Sequence, residues 1–96
     1  MNFPDISTIV CLKADINYTI FHLKDGTKIV SSFTLKRFEK RKEFGLFLRV
    51  NRGSLVNPSG IQSIDKQENT AFVKLSNGET IRVSRRKVGL VKGLIN

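Results

Sequence analysis

Hydrophobic positions fall in short runs along the chain, and each run ends at a turn-forming group. Ile9 to Lys13 reads as a short, largely buried strand, broken by Ala14-Asp15-Ile16-Asn17. Tyr18 to Leu23 follows as a β-rich strand. Lys24-Asp25-Gly26-Thr27 then closes a hairpin onto Lys28 to Ser31, because Asp-Gly readily takes the positive φ of a tight turn. His22 alternates with Phe21 and Leu23, which predicts a place facing solvent or at a sheet edge. Between Phe33 and Lys42 the period changes. Leu35 and Phe38 make a one-sided stripe three residues apart, Thr34 can cap a helix, and Phe33 can staple onto Phe38. Lys40, Arg41 and Lys42 would then lie in the last helical turn, where cations complement the carbonyl end of the dipole.

The second half begins with Phe47 to Asn57, in which Phe47–Val50 and Leu55–Val56 flank the polar insert Asn51-Arg52-Gly53-Ser54. A buried strand that breaks there and resumes pushes those side chains into solvent, on a tip held from both sides. Asn57-Pro58-Ser59-Gly60 is a turn signal, and Ile61 to Lys66 and Thr70 to Leu75 are strands joined by Gln67-Glu68-Asn69. Asn77-Gly78 predicts a type I′ hairpin onto Glu79 to Val83. Ser84 is a candidate N-cap for a closing segment in which Val88, Val91, Leu94 and Ile95 recur at helical spacing. Gly89 and Gly93 each weaken that segment by about 1 kcal/mol, so it should be short or frayed. The pattern is mostly β, with short antiparallel sheets, one central α-helix and a short C-terminal helical segment.

Ninety-six residues suit one domain, and 40% hydrophobic with 26% charged residues is an ordinary globular composition. No apolar run is long enough to span a membrane, and no secretory signal opens the chain, which points to a cytoplasmic protein. Cys11, the single cysteine, sits in the apolar run Ile9-Val10-Cys11-Leu12 and reads as a small core residue in a reducing compartment, without a metal-ligand set. The eight carboxylates are scattered, and no nucleotide-binding, metal or nucleophile motif is present, so neither enzyme nor cofactor is expected.

The charge changes the picture. Seventeen Lys+Arg against eight Asp+Glu give +9, which favours a polyanionic partner, nucleic acid before an anionic membrane surface. After Glu79 there is no acid, while Arg82, Arg85, Arg86, Lys87 and Lys92 all fall there. Three polar or basic tips stand at strand ends: Asn17-Tyr18, Asn51-Arg52-Gly53-Ser54 and Ser84-Arg85-Arg86-Lys87. An arginine fork can make two hydrogen bonds to guanine or clamp a phosphate. Three cations at the start of a helix oppose its dipole, and an anion docking there would offset that cost.

Taken in order, Leu12-Lys13-Ala14-Asp15-Ile16-Asn17-Tyr18-Thr19, Thr34-Leu35-Lys36-Arg37-Phe38-Glu39, Phe47-Leu48-Arg49-Val50-Asn51-Arg52 with Leu55-Val56-Asn57, Leu75-Ser76-Asn77-Gly78 and Val83-Ser84-Arg85-Arg86-Lys87 resemble the LytTR-type DNA-binding domain of bacterial transcription regulators. The resemblance covers about residues 9–95, within a single domain of residues 1–96. It implies an elongated fold that inserts loops into successive major grooves of double-stranded DNA at promoter direct repeats. It also implies base-reading roles for Tyr18, Arg52 and Arg86, and phosphate contacts from Asn17, Asn51, Arg85 and Lys87. The family's usual Arg-Val-His-Arg-Ser loop is here Arg49-Val50-Asn51-Arg52-Gly53, so contacts at Asn51 and Gly53 should differ. Many members carry a phosphorylated receiver domain, which is not on this chain. A weak homodimer on DNA or a regulatory protein partner would fit the resemblance. The alternative is a small basic β-rich module that binds a regulator or partner protein instead of DNA. Single-strand RNA binding fits less well, because the seven Phe mostly fall at core-facing spacings and only Tyr18 sits at a tip.

Overall fold

Each predicted apolar run becomes a strand, and the runs pair in two antiparallel sheets. The structure is a computed structural model that describes residues 2–95, apart from the side chains of Lys92, Leu94 and Ile95. The first sheet contains β1 (Ile9–Asp15), β2 (Tyr18–Leu23), β3 (Lys28–Ser31), β4 (Leu48–Asn51) and β5 (Ser54–Val56), in the order β3-β2-β1-β5-β4. The second contains β6 (Ile61–Gln67), β7 (Thr70–Leu75) and β8 (Thr80–Val83), in chain order. Both predicted hairpins form, but not with the type I′ turn expected at Asn77-Gly78, since Asn77 keeps a negative φ. The hairpins close through three-residue loops, with Gly26 N donating to Leu23 O and Gly78 N to Leu75 O, in which only the glycines take positive φ, 88° and 91°. β1 runs two residues beyond the expected strand, because Ala14 and Asp15 pair with Thr19 and Tyr18. The first tip is therefore only Ile16-Asn17.

The five-stranded sheet is covered on both faces, and this governs which residues are buried. On one face Leu12, Phe21 and Leu55 meet Leu35, Phe38, Phe44 and Phe47. Their rings pack edge to face, with Phe21–Phe38 centroids 5.0 Å apart and Phe44–Phe47 5.1 Å apart. On the other face Cys11, Val50 and Val56 meet Val73, Leu75, Ile81 and Val83 of the second sheet, with Val91 closing the layer. β1 lies between these layers, so its first four residues, Ile9 to Leu12, are all buried. The same sandwich corrects the expectation for His22. β2 is an inner strand, and its second face is covered as well as its first, so His22 is buried beneath the turn that carries Glu79.

The central helix is shorter than its sequence signal suggests, while the C-terminal one spans the expected stripe. α1 spans Leu35–Glu39, and Phe33 packs on Phe38 at 6.4 Å as the staple predicts. Thr34 holds the N-cap position without a side-chain cap bond. Lys40 to Lys42 do not form a last helical turn. The helix stops at Glu39, and a 3-10 turn over Lys42–Phe44 brings Phe44 back into the aromatic layer, burial that outweighs one more turn of helix. At the C-terminus a 3-10 turn over Arg85–Lys87 leads into α2 (Val88–Ile95). Val91 is buried in the core and Val88 packs against it, while the Leu94 and Ile95 side chains of the predicted stripe lie outside the described residues. No helix among the described residues is long and apolar enough to cross a membrane.

Candidate nucleic-acid interface

The central tip is tighter than its sequence suggests. Asn51 and Ser54 pair across it, leaving Arg52-Gly53 as a two-residue turn. Of the four residues expected in solvent, only Arg52 is exposed. Ser54 is buried, and Asn51 and Gly53 are half-buried. The reason is register: β1 continues alongside, pairing Lys13 with Ser54 and donating from Ala14 N to Gly53 O at 2.9 Å. Arg49, which the sequence did not single out, organises the turn. Its Nε donates to Asn51 O and Arg52 O at 3.1 and 3.2 Å, its second terminal nitrogen also donates to Arg52 O, and Nη1 pairs with Glu39 Oε1 at 2.6 Å. One arginine thus satisfies the turn carbonyls and ties the turn to the end of α1.

Asn51 links this tip to the third one. Its Nδ2 donates to Arg82 O at 2.6 Å, while its Oδ1 accepts from Gly53 N at 2.8 Å. Ser84 N donates to Val50 O at 2.7 Å, so the end of β8 lies against β4. Ser84 is extended, as an N-cap should be, but makes no side-chain cap bond. Its carbonyl accepts from Lys87 N at 2.9 Å, closing the basic turn Arg85–Lys87. Arg85 and Arg86 are exposed and Lys87 is half-buried. Between the two tips lies an open cleft of about 530 Å³ lined by Arg49, Asn51, Arg52, Ser84, Arg86 and Lys87. Arg82 and Asn69 line the hollow next to it, and neither was singled out as a site residue from the sequence. Arg82 falls in the basic stretch after Glu79, and alternation in β8 puts its side chain on the face opposite Ile81 and Val83, which are buried.

The first tip joins the same end of the molecule through the Ala14–Gly53 bond. Asn17 is exposed and Tyr18 is 52% exposed, against a background in which the other large aromatic rings are buried or half-buried. Ile16, beside them, is 89% exposed and has φ of 56°, the one non-glycine residue among those described in the left-handed region. The structure therefore brings Asn17, Tyr18, Asn51, Arg52, Arg85, Arg86 and Lys87 to one end. Asn51 differs from the others in that its amide has internal partners.

In the basic cluster around α1, two arginines have partners while Lys36, Lys40 and Lys42 are exposed. The Arg37 guanidinium lies 4.6 Å from the Phe33 ring centre, and Arg41 pairs with Glu43 at 3.0 Å. Among the described residues no ion pair involves Arg52, Arg82, Arg85, Arg86 or Lys87. Away from the tips, the sandwich assembles a group that sequence spacing could not show: Cys11, His22 and Glu79, with Lys13 donating to Glu79 Oε1 at 2.9 Å. Burial, reinforced by the Glu79 charge, pushes the Cys11 thiol up to about 12. Burial also holds His22 below its ordinary value against the pull of Glu79, so the imidazole is neutral near pH 7. Burial pushes Glu79 up, but the Lys13 hydrogen bond and the charges of His22, Lys13 and Lys28 outweigh it and hold the carboxyl low.

A β-rich scaffold that gathers unpaired cations on turns at one end has the form of a nucleic-acid-binding module. The family profile described as LytTr DNA-binding domain matches residues 1–96, and the chain belongs to that family of DNA-binding domains. Among solved structures it is similar to the LytTr DNA-binding domain of a Bacillus cereus protein described as a methyl-accepting/DNA response regulator. That likeness has a TM-score of 0.79 and covers 97% of this chain and 85% of the other, at 23% identity, so it speaks for the fold. No curated protein matches the chain in sequence. The expected fold, mostly β in antiparallel sheets with few helices, agrees with this likeness.

Proposed function

We propose that the whole chain is one cytoplasmic, non-enzymatic unit that binds double-stranded DNA in a sequence-specific way and regulates transcription by placing its tips in successive major grooves of promoter direct repeats. The observation that carries this reading is the alignment of three tips at one end, with the cations of two of them unpaired. Family membership supports DNA as the partner, and the response-regulator description of the Bacillus cereus protein fits a role in transcription control. Within the site, Tyr18, Arg52 and Arg86 are assigned to base edges, and Asn17, Arg85 and Lys87 to phosphates. Asn51, first assigned to phosphate, serves better as the bracket that holds the second and third tips together, and a phosphate contact would compete with its two internal bonds.

A second reading is favoured by the edge strand β3, whose Ile29 and Val30 are 40% and 64% exposed. An unpaired apolar edge is a place where another chain can add a strand, so a second copy or a regulatory protein would dock there. Selection from randomised duplex DNA at two salt concentrations, with wild type and Arg52→Ala, tests the main reading. A defined motif should emerge and lose preference at one base pair in the variant, at a cost of about 1–3 kcal/mol. Weak, unselective binding abolished by moderate salt would sink it and favour the protein-docking reading.

A further inference from the structure

We propose that Cys11, His22 and Glu79 form a binding site for a zinc-like divalent cation that clasps the two sheets together. The three residues come from β1, β2 and the β7–β8 turn, and their donor atoms all lie within 4.8 Å of one another. Glu79 Oε2 is 3.5 Å from His22 Nδ1 and 3.8 Å from Cys11 Sγ. With zinc–ligand bonds of about 2.0–2.3 Å, neighbouring ligands of a tetrahedral site lie about 3.3–3.6 Å apart. Closing onto an ion therefore asks for movements of tenths of an ångström on the two measured edges. The third edge, between sulfur and nitrogen, is at most 4.8 Å and closes by up to about 1.3 Å, within the reach of side-chain rotation.

The donor set selects the ion. One sulfur, one imidazole nitrogen and one carboxylate oxygen suit zinc and its neighbours, whereas magnesium and calcium require oxygen ligands. Three protein ligands leave a fourth place for water, reached from the Glu79 side, whose side chain is 30% exposed. Lys13 is compatible with this. It bonds Glu79 Oε1 and leaves Oε2 turned toward the other two donors, so it acts as the outer partner that fixes a ligating carboxylate. Thiolate and carboxylate offset the charge of the ion, and Lys13 and Lys28 are the cations that face the group. The consequence is mechanical. The clasp would hold the turn that feeds β8, and β8 leads directly into the basic turn Arg85–Lys87.

Cobalt(II) is the probe, added to the chelator-treated full chain at about pH 8, where the proton released on binding is readily lost. Wild type should show a thiolate-to-cobalt charge-transfer band that saturates at one equivalent and is displaced by zinc. The band should disappear in Cys11→Ser, weaken in Glu79→Gln, and weaken in His22→Gln. Zinc should raise the melting temperature of wild type but not of Cys11→Ser, whose near-isosteric side chain keeps the fold available for comparison. Absence of the band in wild type, or binding in Cys11→Ser equal to wild type, would overturn the site, whatever the protein does with DNA.

Discussion

Ile16 shows what a single residue can carry. A β-branched side chain at φ of 56° strains its own backbone by about 1–2 kcal/mol, and at 89% exposure it recovers little of this by packing. Residues with such strain persist where the surrounding structure over-determines them, often at functional sites. Here the neighbours are Asn17 on the first tip and Tyr18, the first residue of β2. Ile16→Asn, which tolerates the left-handed conformation, should raise stability by about 1 kcal/mol and at the same time reduce DNA affinity. Urea melts and a duplex titration read the two effects. A loss of stability would mean that Ile16 packs after all, and unchanged affinity would separate the strain from DNA binding. Sequence placed Ile16 in a turn, but could not see that the turn shrinks to two residues and forces a β-branched side chain into it.

At the scale of elements, the informative feature is how the β4–β5 turn is held. Its candidate base-reading residue, Arg52, is displayed by a scaffold made of Arg49, Asn51 and the end of α1. Arg49→Ala removes the donors to the Asn51 and Arg52 carbonyls and frees Glu39. Arg49 does not project from the turn as Arg52 does, so the substitution should act through the geometry of the tip. The expected result is weaker binding with the base preference at the Arg52 position blurred, and little change in melting temperature, because the aromatic layer beneath α1 is untouched. Unchanged selectivity in a duplex selection would show that the turn holds its shape without Arg49. The turn itself was legible from Asn-Arg-Gly-Ser between apolar runs. The role of Arg49 was not, since its partner Glu39 is ten residues away and meets it only after α1 docks. The same holds for Cys11, His22 and Glu79: Glu79 is separated from Cys11 by 68 positions, and only the stacking of two sheets brings the group together. Strand alternation gave His22 a side of its strand but not what covers that side.

On the scale of the whole molecule, strand order and length decide what the tips can reach. Turn dipeptides and apolar runs made the strands readable one by one. The order β3-β2-β1-β5-β4 is set by long-range pairing of β1 with β5, for which local pattern gives no signal. That pairing puts the first and second tips side by side, and the packing of β8 on β4 adds the third. The molecule measures 39 × 25 × 22 Å, and successive major grooves open onto one face of B-DNA about 34–36 Å apart. Tips that enter successive major grooves must approach from one side of the duplex, so contact should run along one face for about a turn and leave the opposite face open. Hydroxyl-radical footprinting on a selected site should show protection of that length, offset between the strands, and Arg86→Ala should clear only the end nearest the third tip. Protection around the full circumference, or confined to less than half a turn, would mean that the tips converge on one groove. The loop-by-loop assignment of Tyr18, Arg52 and Arg86 to separate base pairs would then fail, even with DNA binding intact.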